Sequence, residues 1–165
     1  MRLAAHGIAA HLPPGWEGAI ASERADVVTA AARAFSAAST PAPHVLPVAH
    51  FSTCALPALR SDFGAEVVET MQASDVFVAL LEYGPEEAGS ALFAHQGLPR
   101  RLDPRQFSPR QLQRTLRGQA GLQLFFTENG RAFCLYIVIG DAGDAHLLVR
   151  RVEQVLATLD IEERL

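Results

Sequence analysis

The sequence contains no lysine, a single asparagine and only two cysteines in its 165 residues. All 14 basic residues are therefore arginines, a bias that indicates a high-GC genome, and we expect a bacterial source. Cys54 and Cys134 lie far apart in the sequence, with no second cysteine near either. We interpret them as reduced thiols of a cytosolic protein, which is the usual state in that compartment, and not as a disulfide or a metal pair.

Long hydrophobic runs are also missing. No segment approaches the roughly 20 consecutive apolar residues that a membrane-spanning helix requires. The opening MRLAAHGIAAHLPPGW is interrupted by His6, His11 and two prolines, and it is too polar for the hydrophobic region of a signal peptide. These features predict a cytoplasmic protein without a membrane span. The formal charge of -4 is too small to indicate nucleic acid as a partner.

Catalytic motifs are absent as well, since the sequence has no GxSxG, HExxH, P-loop or GxGxxG pattern. Two alternatives remain open around one short region. His44, His50 and Cys54 could hold zinc, which accepts nitrogen and sulfur ligands. Cys54 could instead be a nucleophile activated by His50, with Asp62 orienting the histidine. We favour strand histidines and a small buried thiol, and so predict no catalytic residue, metal or cofactor.

The strongest structural signal is the segment Gln119 to Gly140, QAGLQLFFTENGRAFCLYIVIG. Two runs rich in aromatic and β-branched residues flank Asn129-Gly130, the pair most typical of a tight hairpin turn. We predict that the two runs form the central antiparallel pair of a sheet, with Cys134 in its core. The turn, with Glu128 and Arg131 beside it, is expected to be the only part that meets solvent.

Other strands and helices follow from shorter patterns. The apolar run VFVALLEY at 76–83 predicts a strand deep inside the sheet. Further strands are predicted at 3–12 and 16–20 around a Pro-Gly turn, at 44–53, and at 90–94. Pro47 within the third of these favours an edge position or a bulge, because proline cannot donate to a strand ladder.

The most regular helix signal is the closing segment AHLLVRRVEQVLATL, which Asp141 or Asp144 could cap. Shorter helices are predicted for FGAEVVETM after a cap at Asp62, and for RQLQRTL after Ser108-Pro109. The Ala-rich stretch Ser22 to Ser39 is either a helix or a mobile excursion. The order of elements predicts one α+β domain spanning 1–165, with helices packed on an antiparallel sheet and the C-terminal helix on that sheet.

The order of elements also resembles the PsbP-like fold. The likeness rests on the extended opening that leads into LPPGW at 12–16, the central hairpin, and the closing helix that ends in VLATLDI at 155–161. That fold includes extrinsic photosystem subunits, bacterial lipoproteins and a nuclear-import factor that binds the Ran GTPase. The resemblance implies a non-enzymatic adaptor, although this chain lacks the cysteine of a lipoprotein near its N-terminus.

Charge is distributed unevenly along the chain. The stretch 60–99 has seven acidic residues against Arg60 alone, whereas the stretch 100–117 has six arginines against one aspartate. The six are Arg100, Arg101, Arg105, Arg110, Arg114 and Arg117. These charges could simply form solvated faces or pair with carboxylates within the domain. Because arginine suits bidentate contacts with oxyanions, the alternative is that they bind an anion or a protein partner, and this is the site that we predict.

The resulting hypothesis is a non-catalytic binding or scaffold domain that acts through protein-protein contacts, with another protein or with a second copy of itself as a homodimer. One alternative is the small enzyme or metal protein centred on His50 and Cys54. Another is a ligand carrier whose sheet and long helix enclose a cavity.

Overall fold

The computed structural model describes residues 1–22 and 46–164, which contain eight strands, two α-helices and four 3-10 turns. The strands are β1 (Arg2–Ala5), β2 (Ile8–His11), β3 (Glu17–Ala21), β4 (Val48–Ser52), β5 (Val76–Glu82), β6 (Ala120–Glu128), β7 (Arg131–Ile139) and β8 (Asp160–Ile161). The helices are α1 (Ala65–Val68) and α2 (Ala145–Leu156). The 3-10 turns are Pro85–Glu87, Pro104–Gln106, Pro109–Gln111 and Ala142–Asp144.

The larger sheet has five strands in the order β3-β4-β5-β7-β6, and all neighbouring strands are antiparallel. Every residue of β5 is buried. Alternate side chains of β5 enter two separate hydrophobic clusters, with Val76, Val78 and Leu80 in one and Phe77, Ala79 and Leu81 in the other. Both faces of the sheet are therefore covered, which is why this strand is continuously apolar, and the prediction for 76–83 is confirmed.

The two helices lie on opposite faces of this sheet. Helix α2 buries Leu148, Val152, Val155 and Leu156 in the first cluster, whereas α1 places Val67 and Val68 in the second. The predicted α+β class, with helices on an antiparallel sheet and the C-terminal helix packed on it, is confirmed. Asp141 accepts a hydrogen bond from Gly143 N in the turn before α2, while Asp144 occupies the N-cap position without a side-chain bond.

The smaller sheet, in the order β1-β2-β8, was not predicted as such. The expected single strand at 3–12 is a hairpin instead, because His6 and Gly7 both have positive φ, 53° and 74°, as a two-residue type I′ turn requires. Ile8 and Ile161 of this sheet belong to the same hydrophobic cluster as β5 and α2. The two sheets therefore share one core.

The predicted hairpin forms, with Asn129 at φ 49° and Gly130 at φ 73° in the turn between β6 and β7. The predicted central position holds only for β7, however, because β6 is the edge strand of the sheet. Cys134 is fully buried, as predicted, and burial raises the pKa of its thiol to about 12. The expectation that Arg131 meets solvent is wrong, because its side chain is buried beside Glu82.

Several local predictions also need correction. Strand β4 is interior, and Pro47 precedes it, so the edge position is wrong. The helix expected over 63–71 is only α1, which begins after Gly64 at φ 64° and not at Asp62.

Two segments near the predicted arginines also differ from the predicted secondary structure. Residues 90–94 form turns without a strand, and the helix expected over 110–116 is a single 3-10 turn whose predicted cap, Ser108, accepts from Arg110 N. The prediction for Ser22 to Ser39 lies outside the described residues apart from Ser22. No helix in the described part of the chain is long and apolar enough to cross a membrane.

Candidate functional site

The segment that carries the predicted arginines runs along the outer edge of β6. Gly97 N donates to Thr127 O at 2.8 Å, and Ser108 and Gly121 exchange two main-chain hydrogen bonds of 2.9 and 3.1 Å. Between these points the Gln111 side chain accepts from Gln123 N at 2.8 Å. The segment thereby satisfies backbone groups that an edge strand would otherwise expose, and all six arginines are exposed.

Two of the six are already neutralised by carboxylates of this chain. Arg105 makes a bidentate pair with Asp103, with both N–O distances at 3.1 Å, and these hydrogen bonds hold the pKa of the Asp103 carboxyl below its usual range. Arg114 donates to Glu69 at 2.5 Å. These pairs reduce the capacity of both guanidiniums to bind another anion.

Two others, Arg100 and Arg101, line a groove of about 630 Å³. The rest of its lining is Arg150, Glu153 and Gln154 of α2 and Ala157, the residue that follows the helix. We call this the arginine groove. Arg100 Nη1 donates to the Leu156 carbonyl at 2.6 Å. That carbonyl also accepts from Leu159 N at 3.2 Å. It lies at the C-terminus of α2, where the helix dipole favours a cation, so the Arg100 guanidinium is held in place.

Arg101 and Arg150 are exposed, and within the described residues neither side chain has an ion-pair partner. Arg150 was not among the predicted site residues. Its signal was present, because it lies off the apolar stripe of the closing helix, but its proximity to Arg101 depends on how α2 packs. Arg110 and Arg117 are exposed and do not line the groove.

His50 lies in a different environment from the one either alternative needs. Arg60 Nε donates to His50 Nδ1 at 3.0 Å, so Nδ1 carries the lone pair, and Nε2–H therefore donates to the Asp62 main-chain carbonyl at 2.8 Å. Burial, assisted by the Arg60 charge, lowers the pKa of His50 to about 4. The ring is thus neutral and both of its nitrogens are occupied.

Cys54 is partly exposed, and its Sγ lies 3.1 Å from Ser52 Oγ. Asp62 meets His50 through its main-chain carbonyl and not through its carboxylate, so the predicted orienting contact is not the one observed. In residues 1–22 and 46–164 no group of three or more His, Cys, Asp or Glu side chains could hold a metal ion. His44, the third predicted ligand, lies outside those ranges.

A buried ion pair joins the two sheets, and sequence reasoning missed it. Arg131, at the start of β7, donates from Nη2 and Nε to the two carboxylate oxygens of Glu82, at 2.7 and 3.1 Å. Its other N–H groups donate to the carbonyls of His6, Gly7 and Glu162. The available signal was the position of each charge at the boundary of a fully apolar run.

Comparison of the chain with protein-family models, with curated proteins and with solved structures gave no match. The resemblance to the PsbP-like fold accordingly stays a prediction.

Proposed function

We propose that this chain is a non-catalytic binding domain that takes a carboxylate-rich segment of a protein partner in the arginine groove. The observation that carries the proposal is the meeting of Arg101 and Arg150, from separate elements, beside an Arg100 that is held by the end of α2. Guanidinium groups bind carboxylates in a bidentate manner. A fixed guanidinium loses less conformational entropy when it binds than a free one does.

The groove is a better candidate than the other predicted arginines. Arg105 and Arg114 already pair with carboxylates of this chain, and a partner would have to displace those contacts. Arg110 and Arg117 are exposed but contribute to no concave surface with the groove residues. Two unpaired guanidiniums and one oriented guanidinium within one groove provide a multivalent contact for neighbouring carboxylates.

The lining of the groove favours protein over nucleic acid. Glu153 lies among the arginines, and a peptide can direct a backbone amide toward it. Gln154 offers both a donor and an acceptor to a peptide backbone. No aromatic side chain of the described residues lines the groove, and bases of single-stranded nucleic acid bind chiefly by stacking on aromatic rings.

The proposal is tested by binding of a fluorescent deca-glutamate peptide to wild type and to the variant Arg101→Glu with Arg150→Glu. We expect the variant to bind about tenfold more weakly or worse, because two attractive contacts become repulsive, each on the order of 1 kcal/mol. Fluorescence anisotropy at about 0.15 M salt measures the affinity, and salt titration tests whether binding is electrostatic.

The matched control is Arg110→Glu with Arg117→Glu, which changes the net charge equally but leaves the arginine groove intact. We expect this control to bind nearly as wild type does. Equal weakening of both variants would show that only net charge matters and would contradict the groove. Light scattering of the three proteins tests self-association, and a wild-type dimer that only the groove variant dissociates would identify a second copy as the partner.

A further inference from the structure

A separate cleft of about 360 Å³ lies where the smaller sheet meets the larger one. Its walls come from the β1–β2 turn, the residues before β4, the end of β5 and the residues after β8. The lining includes His6, Pro47, Glu82, Glu162, Glu163 and Arg164. Its size falls within the range of small-molecule sites, and a buried carboxylate lies in its wall.

One partner of that carboxylate is permanent. Arg131 is 4% exposed, and each of its five N–H groups donates a hydrogen bond, two to Glu82 and three to main-chain carbonyls. Its donor capacity is therefore fully used. A ligand anion in the cleft would gain no hydrogen bond from Arg131 unless it broke one of these contacts.

The other partner is exchangeable. Arg164 Nη2 donates to Glu82 Oε2, the same oxygen that accepts from Arg131 Nε, but the Arg164 side chain is 38% exposed. Removing Arg164 leaves the neutral pair of Glu82 and Arg131 intact. An ion pair with one partly exposed partner contributes little to stability, so another cation can take the place of Arg164 without disrupting the core.

We propose that this cleft binds a small organic cation, an alkylguanidinium or alkylammonium, whose charged group replaces that of Arg164 on Glu82. The exposed carboxylates of Glu162 and Glu163 add to the preference for a cation, and the half-buried Leu46 offers apolar surface for an alkyl chain. Arg164 is then an internal occupant that competes with the ligand. This site is independent of the arginine groove and of its anionic partner.

The test is an NMR titration of wild type and Arg164→Ala with propylguanidinium, propylammonium and propionate. We expect the two cations to bind Arg164→Ala about fivefold more tightly than wild type, because the internal competitor is gone. Shifted amide signals of Gly7, Glu82 and Glu162 should locate the ligand. Comparison of the two cations shows which headgroup the cleft prefers, while propionate should not bind there.

Arg117→Ala is the matched control, since it also removes one exposed arginine and should bind as wild type does. Equal cation affinity of wild type and Arg164→Ala would overturn the proposal, as would amide shifts outside the cleft. Adding Glu82→Gln to Arg164→Ala should abolish binding if that protein folds, and retained binding would place the ligand elsewhere. If it does not fold, the amide shifts of Arg164→Ala alone decide the location.

Discussion

Gly7 is subject to two separate constraints at the scale of the residue. Its φ of 74° lies in the left-handed region, and a Cβ at this position would lie 2.6 Å from Arg131 Nη1. We predict that Gly7→Ala lowers the free energy of unfolding by about 2–3 kcal/mol, of which about 1–2 kcal/mol is backbone strain and the rest is displacement of the guanidinium from its acceptors. Urea unfolding followed by circular dichroism measures the loss.

Gly15 provides the control for this prediction. Its φ is 86°, and a Cβ there would meet nothing within 4 Å, so Gly15→Ala isolates the backbone part. An equal loss of stability in the two variants would show that Arg131 tolerates the added methyl group.

The lowered pKa of His50 predicts that the free energy of unfolding depends on pH, and this dependence can be assigned to one side chain. Burial lowers its pKa to about 4 in the folded protein, against 6.5 for a free histidine. Between these values the unfolded chain binds the proton and the folded one does not, so stability falls as the pH decreases from about 6.5 to about 4 and the effect then levels off. The pKa difference corresponds to about 3 kcal/mol.

The measurement compares urea unfolding of wild type and His50→Gln across this pH range. Carboxylates that titrate over the same range are common to both proteins, so their contribution cancels in the difference. We expect the stability advantage of wild type over the variant to shrink by about 3 kcal/mol between pH 7 and pH 4. A difference that does not change with pH would mean that the pKa of His50 is the same in the folded and the unfolded protein.

At the scale of the element, the local sequence was sufficient to predict a turn or a strand where one local property determines its structure. The Asn129-Gly130 turn needs only two residues that accept positive φ, and β5 needs only an unbroken apolar run. The turn at His6-Gly7 was missed because His-Gly is not among the pairs typical of a two-residue hairpin turn. Here the turn carbonyls accept hydrogen bonds from the distant Arg131.

The missing helix at 110–116 shows tertiary contacts overriding local propensity. Its start signal is correct, since Ser108 caps Arg110. Farther on, however, Gln113 N donates to Tyr136 OH at 3.0 Å, and a Leu112 methyl lies 2.7 Å from where a Cβ at Gly121 would be. These contacts hold the chain against the hairpin. The arginine groove could not be predicted for a related reason, because Arg101 and Arg150 meet only through the packing of α2.

At the scale of the whole molecule, the buried pair of Arg131 and Glu82 connects the two sheets. Arg131 donates to three carbonyls of the smaller sheet and its flanking residues, and to a carboxylate at the end of β5. A buried ion pair contributes little compared with apolar residues of the same shape, but removing one partner leaves a buried charge uncompensated. The contribution of this pair is therefore to the relative position of the sheets, in addition to their shared hydrophobic core.

We predict that Arg131→Met lowers the free energy of unfolding by about 3–5 kcal/mol, because Glu82 and three carbonyls lose their donors. Arg164→Met removes the other cation from the same carboxylate and is the control, with an expected loss below about 1 kcal/mol, since its side chain is 38% exposed. Urea unfolding measures both losses.

Amide hydrogen exchange tests whether Arg131 holds the smaller sheet in place. In Arg131→Met, strands β1, β2 and β8 should lose protection before β5 and β7. Uniform loss of protection across both sheets would mean that their common core, and not Arg131, determines how the smaller sheet is held.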